Sequence, residues 1–576
     1  MILSFALFPV KAISASSGCG DTSESFYNTK VKEIFKAHCF ACHASYVPLE
    51  KRFGAPPESN FDSYEYVVSK AVKISKRIEN RSMPPGGADQ IPDAEYQCIL
   101  EWLKSHKQEQ KTVKVKKNRE VQSFNGGFSF KVKSFYEPFN IEELSQIMKQ
   151  ADLEKKQLRL VGSRHAWNSG IVSKDISISL QNLRRVEYRK EDQTVYVNSA
   201  VTINELRRVL IENERSLVGI PGYGWQSVGG VLSTGTHGFH KMFHDNVIEM
   251  TVVKPGGEIL EITDEERLRF HRLALGSLGA IVGVRLKTIP YFQYKYTQSY
   301  PPKPELLDGL IEEVNSIGKD DFLSVYIYPF QRLTVKRFWK KIDKPEWKMV
   351  QPELTEVSWL EKKIIGPMML FLKRRVKNLY IRVYKMALDP REGMEEVFIT
   401  DKSLDSIDDP MPGNGDKTAR NLGEFILNAE LYGQVQNEIS VPFSLFPKAL
   451  DKIQAFFEEK RESGDFIYED GIYTRFLRAS NTAALAGNSL EDRVYMQFQY
   501  TDNDEKYISE LADILIKDFK GMIHFGKRLS VDKADILKNY PSEDLSSFLE
   551  YRKTIDPNKI MVNEYFRKIT GKRSLD

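Results

Sequence analysis

The most informative stretch of this chain of 576 residues is SVGGVLSTGTHG, which spans residues 227–238. Its glycines and small hydroxyl side chains leave backbone N–H groups free, so the backbone can approach a pyrophosphate closely. A second stretch of the same character, VGSRHAWN at 161–168, continues a predicted buried strand at 158–162. Neither has the spacing of G-x-G-x-x-G or of a P-loop, so the sequence disfavours those two nucleotide-binding classes.

Helices and strands are interleaved around these stretches. Residues 142–151 and 203–213 show helical periodicity, whereas 175–180 and 194–197 alternate as strands do. This interleaving predicts an α+β or α/β fold. Hydrophobic residues make up 41% of the chain and charged residues 28%, which predicts packed globular domains. The formal charge is only +4, so composition gives no reason to expect a nucleic-acid partner.

Taken together and in this order, the two stretches resemble the flavin domain of the vanillyl-alcohol oxidase family of FAD-linked oxidoreductases. The resemblance runs from about residue 130 to 292 and includes QNL at 181–183, IPG at 220–222 and LGSLGAI at 275–281. It implies an α+β FAD-binding domain over 126–292. The residues that it assigns to FAD binding are Gly162, Ser163, Arg164, His165, Ala166, Gly230, Ser233, Thr234, Gly235, Thr236, Gly238 and Ile281.

Three of these positions carry specific expectations. In the family, the histidine that matches His165 often bonds covalently to the flavin; the alternative is a structural imidazole. Arg164 stands where the family commonly has glycine, and either adds charge near the phosphates or points to solvent. His237 could contact the flavin or hold its loop.

The C-terminal half resembles the sugar-1,4-lactone and alditol oxidases of that family. The matching segments are GMIHFGK at 521–527, EISVP at 438–442, and the ending formed by Arg552, Asp556-Pro557 and NEYF at 563–566. The resemblance implies an α+β cap or substrate domain over 293–576. It places Lys527 in the substrate pocket with His524 nearby. A cation and an imidazole beside a flavin suit oxidation of an alcohol, because hydride transfer leaves negative charge on the reduced ring.

One mismatch concerns the Glu-x-Arg pair that the family places on a strand facing the substrate. Arg475 is present, but the glutamate position is Tyr473. Strand alternation still puts both side chains on one face. A tyrosine is a much weaker base at neutral pH. Either Glu469 or another acid serves instead, or the substrate differs from the usual lactones and alditols.

A separate N-terminal motif, CFACH at 39–43, is the C-x-x-C-H signature of c-type haem attachment. Cys39 and Cys42 would form the thioethers, and His43 would bind the iron. A zinc half-site or a thioredoxin-like redox pair are the alternatives, but the flanking sequence supports neither. Met83, in the sequence RSMPPGG, is the expected second axial ligand.

The order helix, CxxCH, loop, MPP and helix resembles a small class I cytochrome c. The resemblance implies an all-α cytochrome c domain over 22–106, joined by a lysine-rich linker over 107–125. Cys98 lies on the apolar face of the last predicted helix and is expected to be a buried thiol.

Residues 1–18 predict a signal peptide, although no basic residue precedes the apolar stretch; a buried or frayed segment is the alternative. Haem attachment favours the same export to a periplasm or a similar compartment. The approach to Cys19 also fits a lipoprotein site imperfectly. The apolar and basic stretch at 366–385 is expected to be a packed cap helix rather than a membrane-surface helix.

The sequence therefore predicts a flavocytochrome. A sugar lactone, alditol or related CH–OH substrate would reduce FAD, and haem c would pass the electrons to an external acceptor such as a cytochrome or a respiratory component. An oxidase that uses O₂ and a non-catalytic electron-transfer module are the alternatives. The substrate is a small molecule, and no nucleic acid is expected.

Overall fold

The computed structural model divides the chain into two compact units, residues 1–114 and 115–576. It describes 23–48, 51–52, 59–79, 91–106, 115–124, 127–238, 240–299, 301–330, 334–342, 395–400, 434–466 and 470–571, and the single residues Cys19, Asp21, Ile364, Met368 and Tyr468. The predictions for the signal peptide at 1–18, for Met83, for Glu469 and for nearly all of 366–385 lie outside the described residues. In the described part, no helix is long and apolar enough to cross a bilayer.

The first unit is all-α, as predicted. A π-helical turn at Tyr27–Val31 joins the first two helices into one continuous segment. The helices are α1 (Glu24–Phe26), α2 (Lys32–His38), α3 (Phe40–His43), α4 (Tyr64–Ser69), α5 (Ala71–Glu79) and α6 (Asp93–Ser105). Their core is aromatic: the rings of Tyr27 and Trp102 are fully buried with centroids 5.3 Å apart, and Phe35 packs 5.2 Å from Phe61.

A disulfide joins Cys19 to Cys98 on α6. The prediction of a free buried thiol at Cys98 is therefore wrong; the sequence showed the apolar helix face but not the partner 79 residues earlier. The bond also occupies the thiol at Cys19 that a lipid anchor would need. Cys39 and Cys42 remain as free thiols.

The second unit is α+β and contains four sheets in its described part. β1 (Lys116–Gln122), β2 (Ser129–Tyr136), β3 (Leu158–Leu160) and β4 (Ile176–Ile178) form a sheet of order β1-β2-β4-β3. The second sheet has the order β5-β6-β10-β8-β9 and is antiparallel. Its strands are β5 (Val186–Arg189), β6 (Thr194–Asn198), β8 (Val247–Val253), β9 (Ile259–Ile262) and β10 (Ala280–Lys287); β7 (Arg215–Ser216) pairs with β11 (Ile289–Pro290).

An antiparallel sheet of eight strands dominates the C-terminal half, with the order β15-β12-β14-β13-β17-β18-β16-β19. Its strands are β12 (Gln293–Ser299), β13 (Phe322–Ile327), β14 (Val335–Ile342), β15 (Glu395–Thr400), β16 (Gln434–Pro442), β17 (Ile472–Leu477), β18 (Arg493–Thr501) and β19 (Met522–Ile523). Apolar residues of one face, such as Ile439, Met496 and Phe498, belong to a buried core shared with two long helices. The alternating residues of the opposite face are polar, which is unusual for buried strands.

The helices of the second unit cover these sheets. They are α7 (Ile141–Leu153), α8 (Ile203–Glu212), α9 (Val228–Ser233), α10 (Glu265–His271), α11 (Lys303–Leu307), α12 (Leu310–Ser316), α13 (Phe446–Glu462), α14 (Glu505–Asp518), α15 (Ser542–Ile555) and α16 (Glu564–Thr570). α13 and α14 carry the long apolar faces that pack on the eight-stranded sheet. Within the glycine-bearing stretch at 227–238, α9 begins directly after Ser227.

Replacing Cys98 with serine should lower the free energy of unfolding of the first unit by about 2–4 kcal/mol, because the disulfide restricts the unfolded chain over a long loop. Urea unfolding of the haem-loaded protein, followed at the haem absorbance band, measures this change. A reducing agent should destabilise the wild type by a similar amount and leave Cys98→Ser unchanged. Equal midpoints for the two proteins under oxidising conditions would contradict the prediction.

Candidate functional site

A cavity of about 700 Å³ runs through the second unit. Its wall contains every residue that the sequence assigned to FAD except Gly235. Gly235 has a left-handed φ of 66°, and a Cβ there would lie 2.5 Å from Leu273 Cδ1. This glycine therefore shapes the loop without facing the cavity.

Two glycines let the cofactor loops approach each other and their neighbours. A Cβ at Gly162 would lie 2.3 Å from the hydroxyl of Ser227, which joins the two loops. A Cβ at Gly238 would lie 2.7 Å from the backbone carbon of Gly219. Backbone cannot yield as a flexible side chain does, so glycine is required at 238.

Arg164 occupies a left-handed backbone conformation with φ 64°. Such a conformation favours glycine. The glycine that the family commonly has at this position is thus explained by the backbone, and the arginine accepts the strain.

His165 is packed between two aromatic rings on the cavity wall. Its ring centroid lies 4.0 Å from that of Phe124 and 4.7 Å from that of Tyr223. Burial, together with the charge of Arg164, lowers the pKa of His165 to about 3, so the imidazole is neutral. Its Nε2 is buried and has no hydrogen-bond partner among the described residues. A neutral ring with a free nitrogen fits a group held close to, or bonded to, FAD.

The opposite wall is the polar face of the eight-stranded sheet. The register places Tyr326, Tyr473, Gln497 and Glu438 side by side on β13, β17, β18 and β16. All four line the cavity, as does Arg475. Sheet pairing therefore brings together residues that are far apart in the sequence.

Glu438 is the partner of Arg475. The guanidinium donates a hydrogen bond to Oε1 of the carboxylate, and Nε2 of His237 lies 3.2 Å from that same oxygen. Although burial opposes ionisation, the charge of Arg475 holds the pKa of Glu438 well below its usual range. Glu438 lies in the EISVP segment, and its position there is the only signal in the sequence for this role.

Tyr473 stacks on the ring of Tyr326 and does not act as a base in place of the expected glutamate. Its ring lies 4.6 Å from the ring of Tyr326, and the guanidinium of Arg475 lies 5.1 Å from the ring of Tyr473. Burial raises the pKa of Tyr473, so its hydroxyl stays protonated at neutral pH. Tyr473 and Glu438 thus hold Arg475 from two sides.

Lys527 points at two neutral amides. Its Nζ lies 2.6 Å from Oε1 of Gln436 and 3.3 Å from Oε1 of Gln497. Burial lowers the pKa of Lys527 to about 8. His524 is neutral as well, since burial lowers its pKa to about 3. Lys527 is therefore the group near the sheet that changes charge closest to neutral pH.

Three segments distant in sequence are tied together behind Lys527. The side-chain amide of Asn168 donates to the carbonyls of Phe525 and Lys527, both at 2.7 Å. The hydroxyl of Tyr565 also donates to the carbonyl of Phe525, at 2.7 Å. The predicted flavin loop, the HFGK segment and the C-terminal NEYF segment therefore form one rigid base for the site.

In the first unit, His43 is oriented for metal binding. Its Nδ1 lies 2.8 Å from the hydroxyl of Ser59, and its ring stacks on Phe61 at 4.4 Å. A bond at Nδ1 leaves Nε2 as the ligand atom. Cys39 is the N-cap of the same short helix and Cys42 lies within it, and both are free thiols. These residues fit a haem c held by two thioethers and one imidazole.

Comparison with known proteins agrees with this division. Residues 28–103 match the family of cytochrome c oxidase, cbb3-type, subunit III; residues 132–263 match the FAD binding domain; and residues 284–569 match D-arabinono-1,4-lactone oxidase. These matches confirm FAD and haem c as the cofactors.

Among curated relatives, the D-arabinono-1,4-lactone oxidase of Candida glabrata is 27% identical over 41% of this chain, which spans 47% of that relative. The enzyme of Saccharomyces cerevisiae is 25% identical, covering 58% of this chain and 69% of its own. The L-gulono-1,4-lactone dehydrogenase of Mycobacterium tuberculosis is 23% identical, over 75% of this chain and 95% of that relative. The chain thus spans about half of the length of the first of these relatives.

Two solved structures share the fold of the second unit. Cholesterol oxidase from Brevibacterium sterolicum has a TM-score of 0.60 at 13% identity, over 79% of this chain and 97% of that one. Chitooligosaccharide oxidase has a TM-score of 0.54 at 12% identity, over 77% of this chain and 93% of that one. Together the matches confirm the predicted architecture of a cytochrome c domain followed by an FAD-binding oxidase fold, and they show that residues 284–569 are similar to the D-arabinono-1,4-lactone oxidase family.

Proposed function

We propose that the protein is a flavocytochrome that oxidises a CH–OH group of a sugar lactone, an alditol or a related small molecule, and that haem c carries the electrons to an external acceptor. The observation that carries the proposal is the cavity, which joins the FAD loops to Lys527 and Arg475. The lactone oxidase and lactone dehydrogenase names of the relatives support the substrate class.

When bound in the cavity, FAD supplies a hydride acceptor. The substrate loses a hydride from carbon and a proton from its hydroxyl, so a base must lie beside that hydroxyl. Neutral Lys527 can accept the proton at Nζ, and the amides of Gln436 and Gln497 hold that nitrogen in place. Arg475 can bind a substrate oxygen and stabilise negative charge in the cavity. Tyr473 takes no proton, because its pKa is raised.

The cytochrome domain favours a dehydrogenase over an enzyme that passes electrons to O₂. A haem gives electrons one at a time to another redox protein, and a reaction with O₂ at the flavin has no need of it. The dehydrogenase name of the Mycobacterium tuberculosis relative supports the same choice.

We also propose that the protein works in an exported, oxidising compartment such as the periplasm. The Cys19–Cys98 disulfide and the CxxCH motif both support this proposal. Attachment of haem c and formation of a stable disulfide are chemistry of such compartments.

Anaerobic mixing of the holoprotein with a panel of aldonolactones and alditols tests the function. With a substrate, the flavin absorbance should bleach first and the haem should then be reduced. In Cys42→Ser, produced without covalent haem, the flavin should bleach at the same rate while the external acceptor stays oxidised. Bleaching of the flavin without haem reduction, with peroxide formed in air at the rate of substrate loss, would contradict the proposal and favour an oxidase.

Replacing Lys527 with methionine should slow flavin reduction by about 10²–10⁴-fold, because the general base is lost. A lysine accepts a proton only when neutral, and the pKa of Lys527 is about 8. The wild-type rate should therefore rise through about pH 8 to a plateau. Rapid-mixing kinetics at several pH values measure this profile.

Lys303→Met is the matched control, since Lys303 is part-buried, has a lowered pKa and bonds carbonyls outside the cavity. It should keep both the rate and the pH step. A Lys527→Met protein that kept the step would show that another group is the base.

We infer that the free Nε2 of His165 forms the covalent bond to FAD. After acid precipitation, flavin fluorescence, which haem does not supply, should stay with the wild-type protein, whereas His165→Gln should release all flavin into the supernatant. His240→Gln is the control, because His240 is equally buried but does not line this cavity. Release of all flavin from acid-precipitated wild-type holoprotein would rule the bond out.

A further inference from the structure

The proposed chemistry uses Lys527 and Arg475 but leaves two buried residues of the cavity wall without a role. His237 and Glu438 are 3% and 1% exposed and both line the cavity. Buried ionisable groups are costly unless they are paired, so their arrangement calls for an explanation.

The tautomer of His237 follows from its neighbours. Its Nδ1 lies 2.9 Å from the carbonyl oxygen of Gly238, which can only accept a hydrogen bond. Nε2 also faces an oxygen that only accepts, but Nδ1 makes a hydrogen bond and Nε2 makes none among the described residues. We therefore place the single hydrogen of the neutral ring on Nδ1 and the lone pair on Nε2. This lone pair faces Oε1 of Glu438 at 3.2 Å.

The carboxylate of Glu438, which faces Nε2 of His237, is also a hydrogen-bond acceptor. Arg475 donates to it and keeps it ionised. Burial, aided by the charge of Arg475, lowers the pKa of His237 and keeps the ring neutral. Two acceptors thus face each other, and neither Nε2 of His237 nor Oε2 of Glu438 has a hydrogen-bond partner among the described residues. One added proton would convert this repulsive contact into a charge-assisted hydrogen bond.

A metal ion would be the other way to join these acceptors, since His524 lies close enough to complete a three-ligand set. Two observations argue against it. The backbone N–H of Gly526 donates to Nδ1 of His524 at 2.9 Å, so the neutral ring has its hydrogen on Nε2. The guanidinium of Arg475 already sits on the carboxylate, and it would repel a second cation.

Negative charge entering the cavity would raise the proton affinity of the pair. His237 belongs to the loop that seats the flavin, so reduction of the flavin brings charge to the same cavity. Because the groups interact, the proton belongs to the pair and not to one residue. The charged and titratable groups facing it are Arg475, His524, Lys527, Tyr495 and His244.

We propose that His237 and Glu438 form a proton-binding pair that takes up one proton from solvent when the flavin is reduced. Reduction consumes two electrons and two protons in all: one proton goes to the flavin ring, the second ends between Nε2 of His237 and Oε1 of Glu438, and no bond between flavin and protein changes. Glu438 is in addition a positioning residue, since its carboxylate fixes Arg475. The inference rests on the proposed placement of the flavin, but not on any substrate.

Chemical reduction of the holoprotein tests the pair without a substrate. The pH dependence of the flavin midpoint potential between about pH 6 and pH 8 counts the protons bound per two electrons. We expect two protons for the wild type and one for His237→Gln and for Glu438→Gln. Glu438→Asp should restore the second proton.

His271→Gln is the matched control, because His271 is buried and contacts Tyr551 away from the cavity. It should bind two protons, as the wild type does. A count of two in both pair variants would show that the flavin itself takes both protons, and a count of one in the wild type would overturn the proposal even if the variants failed to hold flavin. Flavin that is reduced chemically but by no sugar would refute the proposed function and leave this inference standing.

Discussion

The arrangement of the site depends on one buried ion pair, between Glu438 on β16 and Arg475 on β17. Either charge alone would be expensive at so buried a position, because water reaches it poorly. Together they allow a sheet to present a polar face inside the protein. The strand between them, β18, sets their separation, so the pair also fixes the register of three strands. The charges of Glu438 and Arg475 cancel. The charge of Lys527, whose pKa is about 8, changes with pH near neutrality.

Hydrogen bonds from side chains to backbone carbonyls connect this part of the site to the flavin side. Asn168, from the N-terminal flavin loop, holds the carbonyls around Lys527, and Tyr565 holds the same segment from the C-terminus. Asn563 in turn donates to the carbonyls of Ser169, Gly170 and Val172. Residues nearly four hundred positions apart thus share one small network. The predicted FAD loop is thereby tied to a cavity wall formed by residues much later in the chain.

Sequence reasoning succeeded where chemistry is local. Three features could be recognised from a few consecutive residues: the CxxCH motif, the two glycine-bearing loops and the HFGK segment. The structure places the two loops and the HFGK segment on one cavity. The sequence did not predict contacts that depend on how distant segments of the chain pair. No pattern links Cys19 to Cys98, and none shows that Glu438 lies beside Arg475, because strand order, and not spacing, makes them neighbours. The backbone of Arg164 is a further case: the departure from glycine was visible, but its left-handed φ was not.

The disulfide in the cytochrome unit has a consequence for how the protein is made. The chain has four cysteines, and only the pairing of Cys19 with Cys98 leaves Cys39 and Cys42 available for haem. Cys39 and Cys42 are much closer in sequence, so oxidation of the newly made chain would favour the wrong pair first. Maturation therefore requires that the two pairs of cysteines undergo different reactions. One pair must be kept reduced until haem arrives while the other is oxidised in the same compartment, and the yield of active protein depends on that selectivity as much as on folding.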